Sequence, residues 1–228
     1  MWPRRLTPVL SMLEELPSCA SCARPLPICI CDRLPPSPLP SPVEVCILQH
    51  PQEQDLVLGT AGILTRSLER TSVRVGLSWP SPEAAVGHSI DRKRWAVLFT
   101  TAPLRRALEG KEPGSVVILG RKGRPRPPDA PLLEGIIVLD GSWSQAKSLW
   151  WRNGWMLKLN QIGILPREPS IYGRLRREPR REWVSTLEAV ADVLPALGGE
   201  KYESTRAELR RIMRTMCQRA RDAIKALI

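Results

Sequence analysis

Short apolar, β-branched runs alternate along this chain with stretches whose apolar residues recur at helical spacing. The runs at Val43–Leu48, Val73–Leu77, Trp95–Phe99, Gly114–Leu119 and Ile136–Leu139 are four to six residues long and end at Pro, Gly or polar clusters. That length and bounding predict strands, with Gly114–Leu119 reading as a buried one. Between them, residues 55–69 carry Leu56, Leu58, Ile63, Leu64 and Leu68 and predict a helix despite Gly59 and Gly62. Thr101-Ala-Pro-Leu predicts a further helix start, with an N-cap and an early Pro. Ser185 and Glu188 have the spacing of a capping box before a helix to about residue 197, and Thr205 and Glu208 repeat it before a last helix over 206–228. There Leu209, Ile212, Met213, Met216, Ala220, Ile224 and Leu227 form an apolar stripe. Strands interleaved with helices predict an α/β fold, a mostly parallel sheet flanked by helices.

Before that domain lies a different kind of sequence. Residues 1–16 read as a short helix or a loose lead. Four of the six cysteines then fall within thirteen residues, as Cys19-x2-Cys22-x6-Cys29-x-Cys31. Two close pairs of thiolates can close a tetrahedral zinc site; two disulfides are the competing reading, which the lack of a secretion signal disfavours. Cys46 and Cys217 stand alone and read as small core residues. Residues 34–42, Leu-Pro-Pro-Ser-Pro-Leu-Pro-Ser-Pro, continue neither helix nor sheet and read as a stiff spacer. The expected organisation is a zinc module in residues 1–34, a linker in 35–42 and a main domain in 43–228.

Charge adds a partner to this picture. The formal net charge is +11, and Arg outnumbers Lys 27 to 7, which suits phosphate recognition by planar guanidinium forks. Residues 167–181 hold Arg167, Arg174, Arg176, Arg177, Arg180 and Arg181, with Tyr172 and Trp183 among or beside them. Basic residues interleaved with aromatics fit single-stranded or looped RNA, and a solvated loop is the alternative. The basic, Pro-rich loop 121–128 reads equally as a phosphate contact or a solvated connection. No apolar run reaches the roughly 20 residues of a membrane span. With no signal peptide recognised either, the expected compartment is the cytoplasm.

Candidate chemistry sits at two strand ends. Ile136–Leu139 stops at Asp140-Gly-Ser-Trp143, and Val43–Leu48 runs into Gln49-His50-Pro51. In parallel α/β sheets, ligands collect outside the carboxyl ends of strands. The common phosphate loops, the His-Glu-x-x-His pattern and the Gly-x-Ser-x-Gly elbow are all missing. From the residues alone, the chain reads as a zinc-bearing, basic α/β protein acting on RNA.

At Asp140-Gly-Ser142-Trp143 the sequence resembles the DTW-domain family, named for an Asp-x-Thr-Trp motif. Ser142 stands where the family has Thr and keeps the hydroxyl. The likeness extends to Cys19-x2-Cys22-x-Arg24-Pro25-x3-Cys29-x-Cys31, to Gln49-His50-Pro51-x-Glu53 and to Ser185-Thr-Leu-Glu188-Ala. The four signatures occur in the family's order and span most of the chain. The resemblance implies a tRNA-uridine aminocarboxypropyltransferase related to the SPOUT superfamily, with a carboxy-terminal knot. Such enzymes move the 3-amino-3-carboxypropyl group of S-adenosylmethionine to N3 of a tRNA uridine and release 5′-methylthioadenosine. It further implies that Leu119, Gly120, Val184, Ser185 and Thr186 line the S-adenosylmethionine pocket, with Glu188 close by. Asp140 would accept the N3 proton, or orient the uracil or the cosubstrate amino group, and Trp143 would stack on uracil, wall the cosubstrate pocket or pack beneath the loop. Gln49, His50, Ser142, Trp143, Arg174, Arg176 and Arg177 are assigned to the RNA side, Arg176 serving a phosphate or the cosubstrate carboxylate. Cys19, Cys22, Cys29 and Cys31 hold structural zinc, in a module expected to dock tRNA without a part in transfer. A SPOUT-type RNA methyltransferase and a non-catalytic, zinc-bearing RNA-binding protein are the rival readings.

Overall fold

The structure is a computed structural model that describes residues 12–13, 15–54, 56–176 and 184–227. Most of the lead expected over residues 1–16 lies outside the described residues, as do Arg177, Arg180, Arg181 and Trp183 of the basic stretch.

Six strands form one sheet: β1 (Glu44–Gln49), β2 (Thr71–Val75), β3 (Trp95–Leu98), β4 (Val116–Leu119), β5 (Gly135–Asp140) and β6 (Asn160–Ile164). Their order across the sheet is β2-β1-β5-β3-β6-β4. Every pairing is parallel except that of β4 with β6. The helices are α1 (Ala61–Ser67), α2 (Pro82–Val86), α3 (Ala102–Leu108), α4 (Trp143–Arg152), α5 (Thr186–Gly198) and α6 (Glu203–Leu227). The mostly parallel α/β sheet expected from the sequence is what the chain builds.

β5 reads as a continuous apolar run because both its faces are covered. Successive side chains point to opposite sides. Ile136 and Val138 therefore enter a core shared with α1, α5 and α6, while Ile137 and Leu139 enter a smaller one with Leu149 and Trp150 of α4. β1 divides the same way, Val45 and Ile47 against Cys46 and Leu48. Gly135 is needed at the start of β5, because a Cβ there would stand 2.3 Å from the Trp95 ring.

Three expectations need correction. The strand at 114–119 begins at Val116, is only half-buried along its length and runs antiparallel at the sheet edge, where one side has no neighbouring strand. The pair Thr205 and Glu208 forms no capping box. The helix has already begun at Glu203, and Thr205 donates to the Pro40 carbonyl at 3.2 Å while Glu208 pairs with Arg211. The helix expected over 55–69 is confined to α1, its first residues being drawn into a loop that ends at the N-cap Thr60. β6 went unrecognised because Asn160 and Gln161 break its apolar pattern. Both are buried and bonded: Asn160 donates to the Lys93 and Trp95 carbonyls, and Gln161 accepts from Thr101.

The Pro-rich tract is pinned to the domain at Leu39, which exchanges backbone hydrogen bonds with Ser67 and Glu69. Leu13, Ile28 and Ile30 share the larger core with the sheet. No helix among the described residues is long and apolar enough to cross a membrane.

Candidate active site

The carboxyl ends of β1 and β5 lie side by side, with Gln49 in register with Asp140. Asp140 is the last residue of its strand, and the next residues turn into α4, where Ser142 and Gln145 form a reciprocal capping box. Both Asp140 oxygens are engaged. Gln49 Nε2 donates to Oδ2 at 2.8 Å, and the Thr186 hydroxyl donates to Oδ1. The carboxylate is buried, at the floor of a cleft whose empty volume, open mouth included, is about 960 Å³. That size suits a cosubstrate-class ligand.

Four segments far apart in sequence wall this cleft. Glu53, Gly59 and Thr60 come from the loop after β1; Phe99 and Thr100 follow β3; Asp140 ends β5, and Gly141 and Trp143 follow it; Tyr172, Arg176, Val184 and Ser185 come from the segment between β6 and α5, whose first residue is Thr186. Trp143 stacks on Phe99 with 5.3 Å between ring centroids, and it lines the cleft. Burial raises the Glu53 carboxyl above its ordinary value, against the pull of Arg176, whose guanidinium bonds it at 3.1 Å. Arg176 also lies 5.8 Å from the centre of the Tyr172 ring.

Ser185 and Glu188 make the expected capping box of α5: the Ser185 hydroxyl accepts from the Glu188 N–H, and the Glu188 carboxylate accepts from the Ser185 N–H. Glu188 does not line the cleft. It is fully buried, and it also accepts from the Ser170 hydroxyl and the Ile171 N–H, which ties the incoming loop to the start of the helix. His50 and Ser142 flank the Asp140 turn without lining the cleft. The His50 N–H donates to the Asp140 carbonyl, and its Nδ1 accepts from the Gln52 N–H at 3.2 Å. Burial, with Arg152 nearby, holds its pKa below the ordinary 6.5. Arg174 is exposed, and Arg177 lies outside the described residues.

Leu119 and Gly120 are not brought to this cleft. Because β4 runs against its neighbour, Leu119 pairs with Gln161 near the start of β6, away from the strand ends that carry Asp140. Sequence reasoning passed over Thr60 and Phe99, whose types carry no signal of their own. It also left out Glu53, although the Gln-His-Pro-x-Glu spacing names it. Tyr172, read as a stacking aromatic, is buried and donates its hydroxyl to the Leu58 carbonyl at 2.6 Å.

The cysteine cluster is a candidate metal centre. All four sulfurs lie within 4.8 Å of one another. Cys19 and Cys31 are 3.9 Å apart and Cys22 and Cys29 3.7 Å, well beyond the roughly 2.0 Å of a disulfide. A tetrahedral ion with metal–sulfur bonds of about 2.3 Å has edges of about 3.8 Å, so the residues fit such an ion. The backbone N–H groups of Cys22 and Ser21 turn toward the Cys19 sulfur and lower its pKa to about 6, as a metal knuckle requires. The cluster is fixed to the domain: Arg219 of α6 makes a two-pronged pair with Asp32 at 2.7 Å, and buried Arg24 donates to the carbonyl of cleft-lining Gly59 at 2.6 Å.

Comparison with known proteins decides the family, because the DTW domain matches residues 16–221. The chain belongs to the DTW domain family. The DTW domain thus takes in both the cysteine cluster and the cleft. Among curated relatives, the chain is 28% identical over 207 residues to tRNA-uridine aminocarboxypropyltransferase 2 of Macaca fascicularis and, at the same identity, to that of Mus musculus. Each match covers 90% of this chain and 63% of the relative, so the chain spans somewhat under two thirds of those proteins' length. Identity to tRNA-uridine aminocarboxypropyltransferase A of Arabidopsis thaliana is 30% over 206 residues, covering 81% of this chain and 75% of the relative. No solved structure gives a significant match.

Proposed function

We propose that this protein transfers the 3-amino-3-carboxypropyl group of S-adenosylmethionine to N3 of a uridine in tRNA and releases 5′-methylthioadenosine. The observation that carries the reading is the position of Asp140, a buried carboxylate at the floor of a cleft that the family's signature segments help to build. The uracil N3 attacks the Cγ carbon next to the sulfonium; the new C–N bond forms as C–S breaks, and the electron pair leaves on sulfur. The N3 proton goes to Asp140. With one donor on each of its oxygens, that carboxylate keeps a lone pair on each for the ligand. Proton acceptance of this kind supplies about 10²–10⁴-fold, and holding the two reactants together supplies much of the rest.

In this reading Val184, Ser185 and Thr186 hold S-adenosylmethionine together with Trp143, and Glu188 fixes their backbone. Arg176 meets the cosubstrate carboxylate or an RNA phosphate. Gln49 positions Asp140; His50, Ser142 and Arg174 face the RNA. The cysteine cluster holds structural zinc, whose four thiolates leave no open coordination position. Residues 1–34, 35–42 and 43–228 then serve as metal module, spacer and catalytic domain of a cytoplasmic enzyme. A SPOUT relationship, with its carboxy-terminal knot, belongs to the same proposal.

Product analysis tests the proposal. With S-adenosylmethionine and unmodified tRNA, nucleoside mass spectrometry is expected to find aminocarboxypropyluridine and an equal amount of 5′-methylthioadenosine. Methyluridine with S-adenosylhomocysteine would assign the site to methyl transfer instead.

A further inference from the structure

A second cleft shares Phe99, Thr100 and Trp143 with the first and is of comparable size, about 870 Å³ of empty space with its open mouth included. One face of α4 supplies a wall. Trp143, Lys147, Trp150 and Trp151 stand at i, i+4, i+7 and i+8, which places them on one stripe of the helix. Trp150 is buried and continues the aromatic stack, 5.2 Å from Phe99. Trp151 is different: 70% of it is exposed, beside the half-exposed Leu157. An indole left in water on a basic protein, at the mouth of a cleft, calls for a ligand with a flat face.

The charges around this cleft are of one sign. Arg105, Lys122 and Lys147 line it and are exposed, and no carboxylate does. None of the three makes an ion pair among the described residues. Aromatic surface with unopposed cations is the chemistry that takes single-stranded nucleic acid: bases on rings, phosphates on ammonium and guanidinium groups. An apolar peptide would gain nothing from three cations.

We propose that this cleft seats the nucleotide next to the modified uridine, its base against Trp151 and its phosphates at Arg105, Lys122 and Lys147. The proposal rests on the reading of the first cleft as the uridine site, since Trp143 and Phe99 form the boundary between the two. It gives the second cleft the work of keeping the RNA strand unstacked while the target base turns toward Asp140.

The test compares the wild type with Trp151→Ala, Trp151→Phe and the double change Lys122→Ala with Lys147→Ala. The affinity for tRNA is read by fluorescence anisotropy across a salt series, and that for S-adenosylmethionine by calorimetry. Trp151→Ala is expected to weaken tRNA binding roughly tenfold and to raise KM for tRNA more than it lowers kcat, with cosubstrate affinity unmoved. Trp151→Phe, which keeps a stacking face, should restore most of the loss. The double change should lower the slope of log affinity against log salt by about 0.7 for each cation removed. Unchanged tRNA affinity and salt slope in these variants, beside a wild type that makes aminocarboxypropyluridine, would overturn the proposal and leave the function standing. A loss of tRNA affinity in Trp151→Ala, beside a wild type that makes no aminocarboxypropyluridine, would keep the cleft as an RNA site and remove the function.

Discussion

Asp140 is held between Gln49 and Thr186, so its orientation is fixed before any ligand arrives. A carboxylate that has to accept a proton from a bound base benefits from this, because no reorientation is needed during the reaction. The two histidines give the residue scale an independent check. Burial and the neighbouring Arg152 lower the His50 pKa, whereas Glu44, 2.9 Å from His88 Nε2, raises that of His88. Histidine NMR is therefore expected to give one midpoint below 6.5 and one above it. The raised folded-state value of His88 adds stability that is complete below 6.5 and is lost as the pH rises through that value. His88 is half exposed, so the contribution is small. His88→Gln should lower Tm slightly at pH 5.5 and leave it unchanged at pH 9; the opposite order would show that the pair does not act as described.

At the scale of elements, Glu188 does more than cap a helix. Replacing it with Ala removes the acceptor of Ser185, Ser170 and Ile171 from a site with no access to water. The cost is expected to be about 2–4 kcal/mol, several degrees in Tm by calorimetry, and the affinity for S-adenosylmethionine should fall as the Val184–Thr186 backbone loosens. Arg24 links two other elements. It reaches from the cysteine cluster to the Gly59 carbonyl, on the loop that walls the cleft. Arg24→Ala is expected to weaken S-adenosylmethionine binding by calorimetry while the zinc content stays at one per chain, which would give the metal module a part in shaping the cleft. Unchanged cosubstrate affinity would confine it to the docking role first expected. How far these elements can be read from sequence depends on whether a local pattern carries the constraint. β5 and the Ser185–Glu188 box are legible because a continuous apolar run and a capping pair are local patterns. The direction of β4 is not, since it is set by which neighbour the strand meets. β6 is hidden because Asn160 and Gln161 satisfy their amides through partners distant in sequence, Lys93, Trp95 and Thr101.

For the whole molecule, the net charge of +11 suits an anionic partner, and the cysteine cluster is fixed to the domain that carries the cleft. The cleft itself was only partly legible. Asp140, Trp143 and Thr186 lie in motifs that name them, but Thr60, Phe99 and Tyr172 join through folding alone. The cysteine cluster is more than an appendage, because Ile28 and Ile30, on either side of Cys29, enter the main core. Cys29→Ser should therefore lose zinc and lower Tm together; full zinc content in that variant would refute the four-thiolate centre. The central claim, that Asp140 drives aminocarboxypropyl transfer, is met most directly by single-turnover kinetics of the wild type and Asp140→Asn with tRNA and S-adenosylmethionine, the modified nucleoside being quantified by mass. The account predicts aminocarboxypropyluridine from the wild type and a rate at least about 10²-fold lower in the variant, with cosubstrate still bound. An equal rate in Asp140→Asn would contradict it.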